Sequence, residues 1–285
     1  MRTGTPRVSV GMPVYNGERF LEQALDSILA QEFEDFEVII SDNASADRTP
    51  DICRSYAARD RRIRYHRNDR NWGSARNFRR VFELSSGEYF HWAAHDDCLA
   101  PEFLRCCVEV LDREPAAVLC FSTMAVVDDG GRILRIHEDD LGRLTSSDPR
   151  ERFHHLIWHL RDCHPVFGLI RASALRKTGV IRNVPEPDRL LLGELSLLGS
   201  MWQLPEPMFF RRISPRRDNW VQLDPSNRER PRLAFVRLTY RHLAAVGNSS
   251  LGSMEKAVLM FDVLGCFLVR RIGERWRARA HACGE

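Results

Sequence analysis

The sequence predicts an α/β fold: a mostly parallel sheet with helices on both faces, followed by a helical extension. Three observations carry this. Short β-rich runs alternate with helix-period segments four times over the first 128 residues. Polar clusters fall at the ends of the predicted strands, where open α/β sheets bind ligands. The last 70 residues lose the alternation and read as two helices.

Taken in order, "RVSVGMP" (7–13) is a strand and "GERFLEQALDSILAQ" (17–31) a helix, with Phe20, Leu21, Ala24, Leu25, Ile28 and Leu29 on one face. "FEVIISD" (36–42) is a buried strand. "DRTPDICRSYAARD" (47–60) is a helix that tolerates Pro50 in its first turn. "RIRYHR" (62–67) is a strand, 73–86 a helix stopped near Gly87, and "EYFHWAA" (88–94) a fourth strand. A helix opens at Pro101, and "AAVLCFSTMAVVD" (116–128) adds strand, turned by "DDGG" into a hairpin with "RILRI". Residues 137–150 form a polar loop, a flap or a connector. A helix at 150–160 follows, then "HPVFGLIRASALRKTG" as an apolar turn feeding a short helix. Next come a helix at 187–199, a strand at 201–212 and a Pro- and Arg-rich loop at 213–227. Helices at roughly 228–246 and 253–280 close the chain.

Composition excludes several classes. A net charge of +3 argues against nucleic-acid binding. The eight Cys form no CxxC pair and mostly sit in apolar runs, so they are expected as buried free thiols of a reducing compartment. No signal peptide and no spanning helix are expected, which points to the cytoplasm.

Asn16, Asp42-Asn43, Arg67 to Asn71 and His95-Asp96-Asp97 follow the first four strands and would line one edge of one sheet. Neither GxGxxG nor GxxxxGK[ST] is present, so phosphates would have to be neutralised otherwise. Two adjacent carboxylates can hold a divalent cation that grips a diphosphate. By itself Asp97 could equally cap the following helix. His155, His159 and Cys163 share helix spacing and ligand chemistry for zinc. No fourth ligand is set by spacing, and apolar neighbours favour a core-facing stripe. "AVLMFDVLGCFLVRRIGERWRARA" is apolar, then basic. It suits packing on the α/β domain or a partner subunit, and alternatively an anionic membrane surface.

Several separated motifs in one order carry a resemblance. "VSVGMPVYNGERFLEQALDSILAQEFEDFEVIISDNASADRT", "RNDRNWGSARNF", "SSGEYFHWAAHDDCLAPEFL" and "PDRLLLGELSLLGSMWQLPEPMFFRRISP" are similar to family 2 glycosyltransferases of the GT-A fold, over residues 7 to 215. The resemblance implies a catalytic domain at 1–215, with a nucleotide-binding half at 7–128 and an acceptor half at 129–215. Residues 216–285 are then a C-terminal loop and two-helix extension. It implies that Pro13, Tyr15, Asn16, Asp42, Asn43 with Ser45, Arg67, Asn71 to Gly73 and Arg76 surround the nucleotide. Asp97 would bind the metal and Asp96 the ribose or metal, with His95 lining the site. Many members carry a His near the end of the domain. Ser214 stands there instead, and Arg211, Arg212, Arg216 or Arg217 would supply positive charge to the diphosphate. His164, Gly168 and Arg171 look like acceptor or donor-sugar contacts. Asp188 is the expected general base, with Glu186 second.

The implied reaction is an inverting, metal-assisted single displacement from a nucleotide sugar, a UDP-sugar first, with Mg²⁺ or Mn²⁺. The transferred group would be a hexosyl or N-acetylhexosaminyl unit, and the acceptor a glycan, a lipid-linked sugar or a small molecule. A catalytically silent nucleotide-sugar-binding scaffold and, further off, a nucleotidyltransferase are the other readings. The inner face of the membrane and a homodimer through the C-terminal helices stay open as alternatives.

Overall fold

A computed structural model of the chain describes residues 4–137, 141–213 and 231–282. The first strands are β1 (Val8–Val14), β2 (Phe36–Asp42), β3 (Ile63–Arg67) and β4 (Tyr89–Trp92), joined by helices α1 (Leu21–Leu29), α2 (Thr49–Arg59) and α3 (Ser74–Glu83). β1 and β2 are buried at every position, so even their polar residues Ser9, Glu37, Ser41 and Asp42 are enclosed. Helix α1 begins four residues later than expected, after a turn over residues 18–20. β3, β2, β1 and β4 lie side by side and parallel, with Val14, Asp42 and Arg67 in register at their carboxyl ends.

Beyond β4 the sheet changes character. It continues through β8 (Leu169–Arg171), β6 (Ala117–Val127), β9 (Ser200–Arg212) and β5 (Cys98–Leu99), with β7 (Ile133–His137) hairpinned onto β6. β8 is antiparallel to both its neighbours, β5 is antiparallel to β9, and β6 and β9 run parallel. The parallel arrangement thus holds for the first half, and the second half is mixed. Two short strands, β5 and β8, stand where sequence reading expected a loop and a turn. β5 has a consequence for Asp97: helix α4 (Phe103–Arg113) starts only after Glu102, so Asp97 is not its cap.

Helices α5 (Pro149–His159), α6 (Ala172–Leu175), α7 (Pro187–Leu198), α8 (Pro231–Gly247) and α9 (Ser253–Ala282) follow. The Asp148 carboxylate caps α5, accepting from the Arg150 N–H. The core is split by the sheet. One face packs Leu21, Leu25, Phe103 and Leu111 of α1 and α4, the other Phe153, Leu191 and Val263 of α5, α7 and α9. The described cysteines are free, and Cys53, Cys107, Cys120 and Cys266 are buried as expected. Cys283 lies outside the described residues.

Candidate functional site

The carboxyl ends of β1, β2 and β3 open onto a cleft lined by Pro13, Tyr15, Asn43, Asn71, Ser74, Asn77, Phe78, Ala94 and His95. Local backbone builds it. Asn16 and Ala44 adopt left-handed conformations at φ 51° and 61°, and the two turns are stitched together. The Asn16 N–H donates to Ser45 Oγ at 2.9 Å, and Asn16 Oδ1 accepts from the Ala46 N–H at 2.9 Å. Gly73, at φ 83°, starts α3 in a conformation suited to glycine.

Asp42 is fully buried at the floor of this edge. Its Oδ1 accepts from the Ser45 N–H at 2.8 Å and its Oδ2 from the Tyr65 hydroxyl at 2.8 Å, with Arg67 Nε 3.6 Å away. Burial and the Asp42 charge together raise the Tyr65 hydroxyl pKa, so it stays a donor. Beside Asp42 lies an amide network. Asn43 Nδ2 donates to Asn71 Oδ1 at 2.6 Å, and Asn43 Oδ1 accepts from Asn68 Nδ2 and the Trp72 N–H. Asn77 joins it, accepting from Ser41 Oγ and Asn68 Nδ2 and donating to the Ser41 carbonyl.

Arg76 does not face this cleft. Its guanidinium lies 4.2 Å from the centre of the Trp72 ring, with Arg80 at 4.9 Å from the same ring. The cleft-facing residues of α3 are Ser74, Asn77 and Phe78, at the spacing of one helix side. Sequence reading missed Asn77, although this spacing marks it. His95 lines the cleft and leans on Gly17, where a Cβ would come within 2.6 Å of the ring.

Asp96 and Asp97 follow β4 and are half-buried. Burial, then the adjacent Asp96, push the Asp97 carboxyl well above the usual carboxylate range, against a 2.9 Å bond from the Arg212 N–H and the charges of Arg211 and Arg212. Such a carboxylate is short of positive charge. Asp96 and Asp97 therefore fit a divalent cation that takes its remaining ligands from phosphate and water. Among the described residues no group of three His, Cys, Asp or Glu could hold a metal, so the zinc arrangement at His155, His159 and Cys163 is not formed. Instead the two imidazoles stack at 4.4 Å.

Arg212 is not available to a diphosphate. Its guanidinium donates to the carbonyls of Asp96, Asp128 and Asp129 and to Gln23 Oε1. Ser214, Arg216 and Arg217 lie outside the described residues. Arg211 pairs instead with Asp162, Nη1 to Oδ2 at 2.5 Å.

That pair sits near Asp188, in the first turn of α7. Desolvation raises the Asp188 carboxyl to about 6; Arg211 pulls it down and Asp162 up. The helix cap is Glu186, in a left-handed conformation, so Asp188 is not the cap. Glu186 is exposed and bonded to Arg189 at 2.6 Å and Arg270 at 3.5 Å, which commits its carboxylate. His164 is buried, ring-packed against Phe121 and His137, and held neutral by desolvation, its pKa lowered to about 4. Asp162 was not singled out in the sequence, and no local pattern marks it.

Two expectations fail outright. Gly168 permits close approach, but to protein: a Cβ there would stand 2.5 Å from the Cys120 carbonyl oxygen of β6. Arg171 lies at the opposite end of the sheet. β8 runs antiparallel to β4, pairing Arg171 with Tyr89 at the start of that strand. The Arg171 guanidinium bonds the Ala117 and Leu111 carbonyls.

With this geometry in place, the comparisons define the class. The family model described as "Glycosyl transferase family 2" matches residues 9–179, and the chain belongs to that family. The putative glycosyltransferase EpsH of Bacillus subtilis is 29% identical over 150 residues, 52% of this chain and 42% of that protein. The uncharacterized glycosyltransferase RT0329 of Rickettsia typhi is 34% identical over 111 residues, 39% of this chain and 34% of that protein. The chain thus spans less than half the length of these curated relatives. Residues 1–349 of S. aureus TarS, solved in complex with UDP-GlcNAc, superpose with a TM-score of 0.70 at 18% identity, covering 91% of this chain and 72% of that one. The mannosyltransferase PcManGT of Pyrobaculum calidifontis, solved with GDP-Man and Mn²⁺, gives 0.60 at 18% identity, covering 99% and 77%. The fold is GT-A with C-terminal helices.

Proposed function

We propose that this chain moves a sugar from a nucleoside-diphosphate sugar to an acceptor hydroxyl with inversion at the anomeric carbon. The observation that carries it is the pairing of two unlike sites on one sheet edge: a polar cleft over buried Asp42, and the desolvated carboxyl of Asp188 on the acceptor side. Asp42, Tyr65 and Arg67 suit a nucleobase, and Tyr15, Asn16, Asn43, Asn71 and Gly73 frame the rest of the nucleoside. A UDP-sugar carrying a hexosyl or N-acetylhexosaminyl group is the favoured donor, and TarS, of like fold, was solved with UDP-GlcNAc.

Asp97 and Asp96 would hold Mg²⁺ or Mn²⁺, which when bound neutralises the leaving diphosphate. Arg211 and Arg212 are committed to protein partners, which leaves that charge largely to the cation. Asp188 takes the proton of the acceptor hydroxyl as its oxygen attacks the anomeric carbon. The bond from that carbon to the diphosphate oxygen breaks, and the electron pair leaves with the phosphate. In this division residues 7–128 handle the donor, 129–215 the acceptor, and 216–285 stay outside the chemistry. The acceptor is a glycan, a lipid-linked sugar or a small molecule.

The test is nucleoside diphosphate release across a panel of nucleotide sugars and acceptors. Release that requires both acceptor and divalent cation, and that Asp97→Ala abolishes, is expected. Donor binding without turnover for every acceptor would make the chain a silent sugar-nucleotide binder.

A further inference from the structure

Helix α9 is apolar on two opposite sides. One side, with Leu259, Val263 and Phe267, is buried against α5 and α8. The other faces outward: Met254 is 83% exposed, Phe261 76% and Leu268 60%. Every exposed position of α9 from Ser253 to Val269 is uncharged. On α8, Tyr240 is 63% and Leu233 57% exposed. Soluble monomers rarely leave apolar surface on this scale uncovered.

Charge selects what covers it. Residues 216–285 hold thirteen Lys or Arg and seven Asp or Glu, while residues 1–215 hold 29 and 32. The chain's positive charge is therefore concentrated in the segment that carries the apolar face. Immediately after Val269 the sequence reads "RRIGERWRARA", five Arg to one Glu. A second copy would bring the same positive charge against itself. A surface that is both apolar and anionic complements the helices on both counts. No described helix is long and apolar enough to cross a membrane.

We propose that the outward face of α8 and α9 docks on an anionic lipid bilayer, with Met254, Phe261 and Leu268 entering the interface and the positive charge excess of residues 216–285 drawing the chain to it. Docking does not depend on the reaction assigned to the cleft, and its test uses no substrate. The full chain is sedimented with vesicles of phosphatidylcholine mixed with phosphatidylglycerol, and with vesicles of phosphatidylcholine alone. Binding to the mixed vesicles about tenfold tighter or more is expected, weakening as salt is raised. The double variant Met254→Glu, Phe261→Glu should lose this binding at an unchanged melting temperature, since both side chains are exposed. Failure of the wild type to sediment with either vesicle, or sedimentation of the double variant like the wild type, overturns the proposal. So does a wild-type dimer that ignores vesicles and that the double variant splits, which would give the face to a second copy.

Discussion

The two halves of the sheet edge treat their carboxylates in opposite ways. At the end of β2, Asp42 is fully buried but satisfied by a backbone N–H, a tyrosine hydroxyl and a nearby arginine. Asp97, after β4, and Asp188, on α7, are half-buried, yet desolvation raises both. A binding group gains from being fixed and satisfied before its ligand arrives. A group that must attract a cation or accept a proton gains from being left short of partners. The network around Asp42 is accordingly settled, and Asp97 and Asp188 keep unspent electrostatic demand.

The largest expected effect falls on Asp188. Asp188→Asn should cut turnover by about a thousandfold or more while donor affinity, read by calorimetry, stays within about twofold. The same variant should be more stable than wild type at pH 8, by about 1 kcal/mol after allowing for solvent screening. The sign follows from the raised carboxyl. Burying a neutral Asp188 is tolerated at low pH, and the cost builds as pH climbs from the ordinary value of 3.8 to about 6. Only below the ordinary value of 3.8 should the advantage vanish in thermal melts. By the same titration wild-type turnover should fall as pH drops below about 6. A flat profile down to pH 5 would remove Asp188 as base.

Next comes Asn77→Ala, which strips the buried bonds to Ser41 and Asn68. A loss of about 2–3 kcal/mol in denaturant unfolding is expected, together with weaker donor binding. Intact donor binding alongside slowed chemistry would break the division between the halves. Asp162→Asn should release Arg211 toward Asp188 and move the acid limb of the pH profile lower by under about one unit. Arg171→Gln should leave the KM of donor and acceptor unchanged, because its guanidinium bonds the other end of the sheet.

The donor half was legible because its signals are long-range in sequence and redundant. Four strands alternate with helices, and Asp42, Asn43 and Asn71 recur at strand ends. β5 and β8, two and three residues long, carry no measurable period, so nothing local announced them. The misplacement of Arg171 followed directly, since the hidden strand reverses direction between His164 and that residue. Arg76 came from the resemblance alone, whereas helical spacing puts Asn77 with Ser74 and Phe78. Asp162 reaches the site through Arg211, 49 positions away, and no pattern in one chain links them.

The many bonds of Arg212 set an order of assembly. Its N–H holds Asp97 from 115 residues away, and its guanidinium reaches Gln23 from 189. β5, right after Asp97, has β9 as its pairing partner. The cleft over β1 to β3 is closed by residues up to His95, so it can form early on the ribosome, whereas the carboxylate pair waits for the last strand to emerge. A nascent or truncated chain ending before β9 would hold the cleft without an organised Asp97. Competence arrives only when synthesis of the domain is complete.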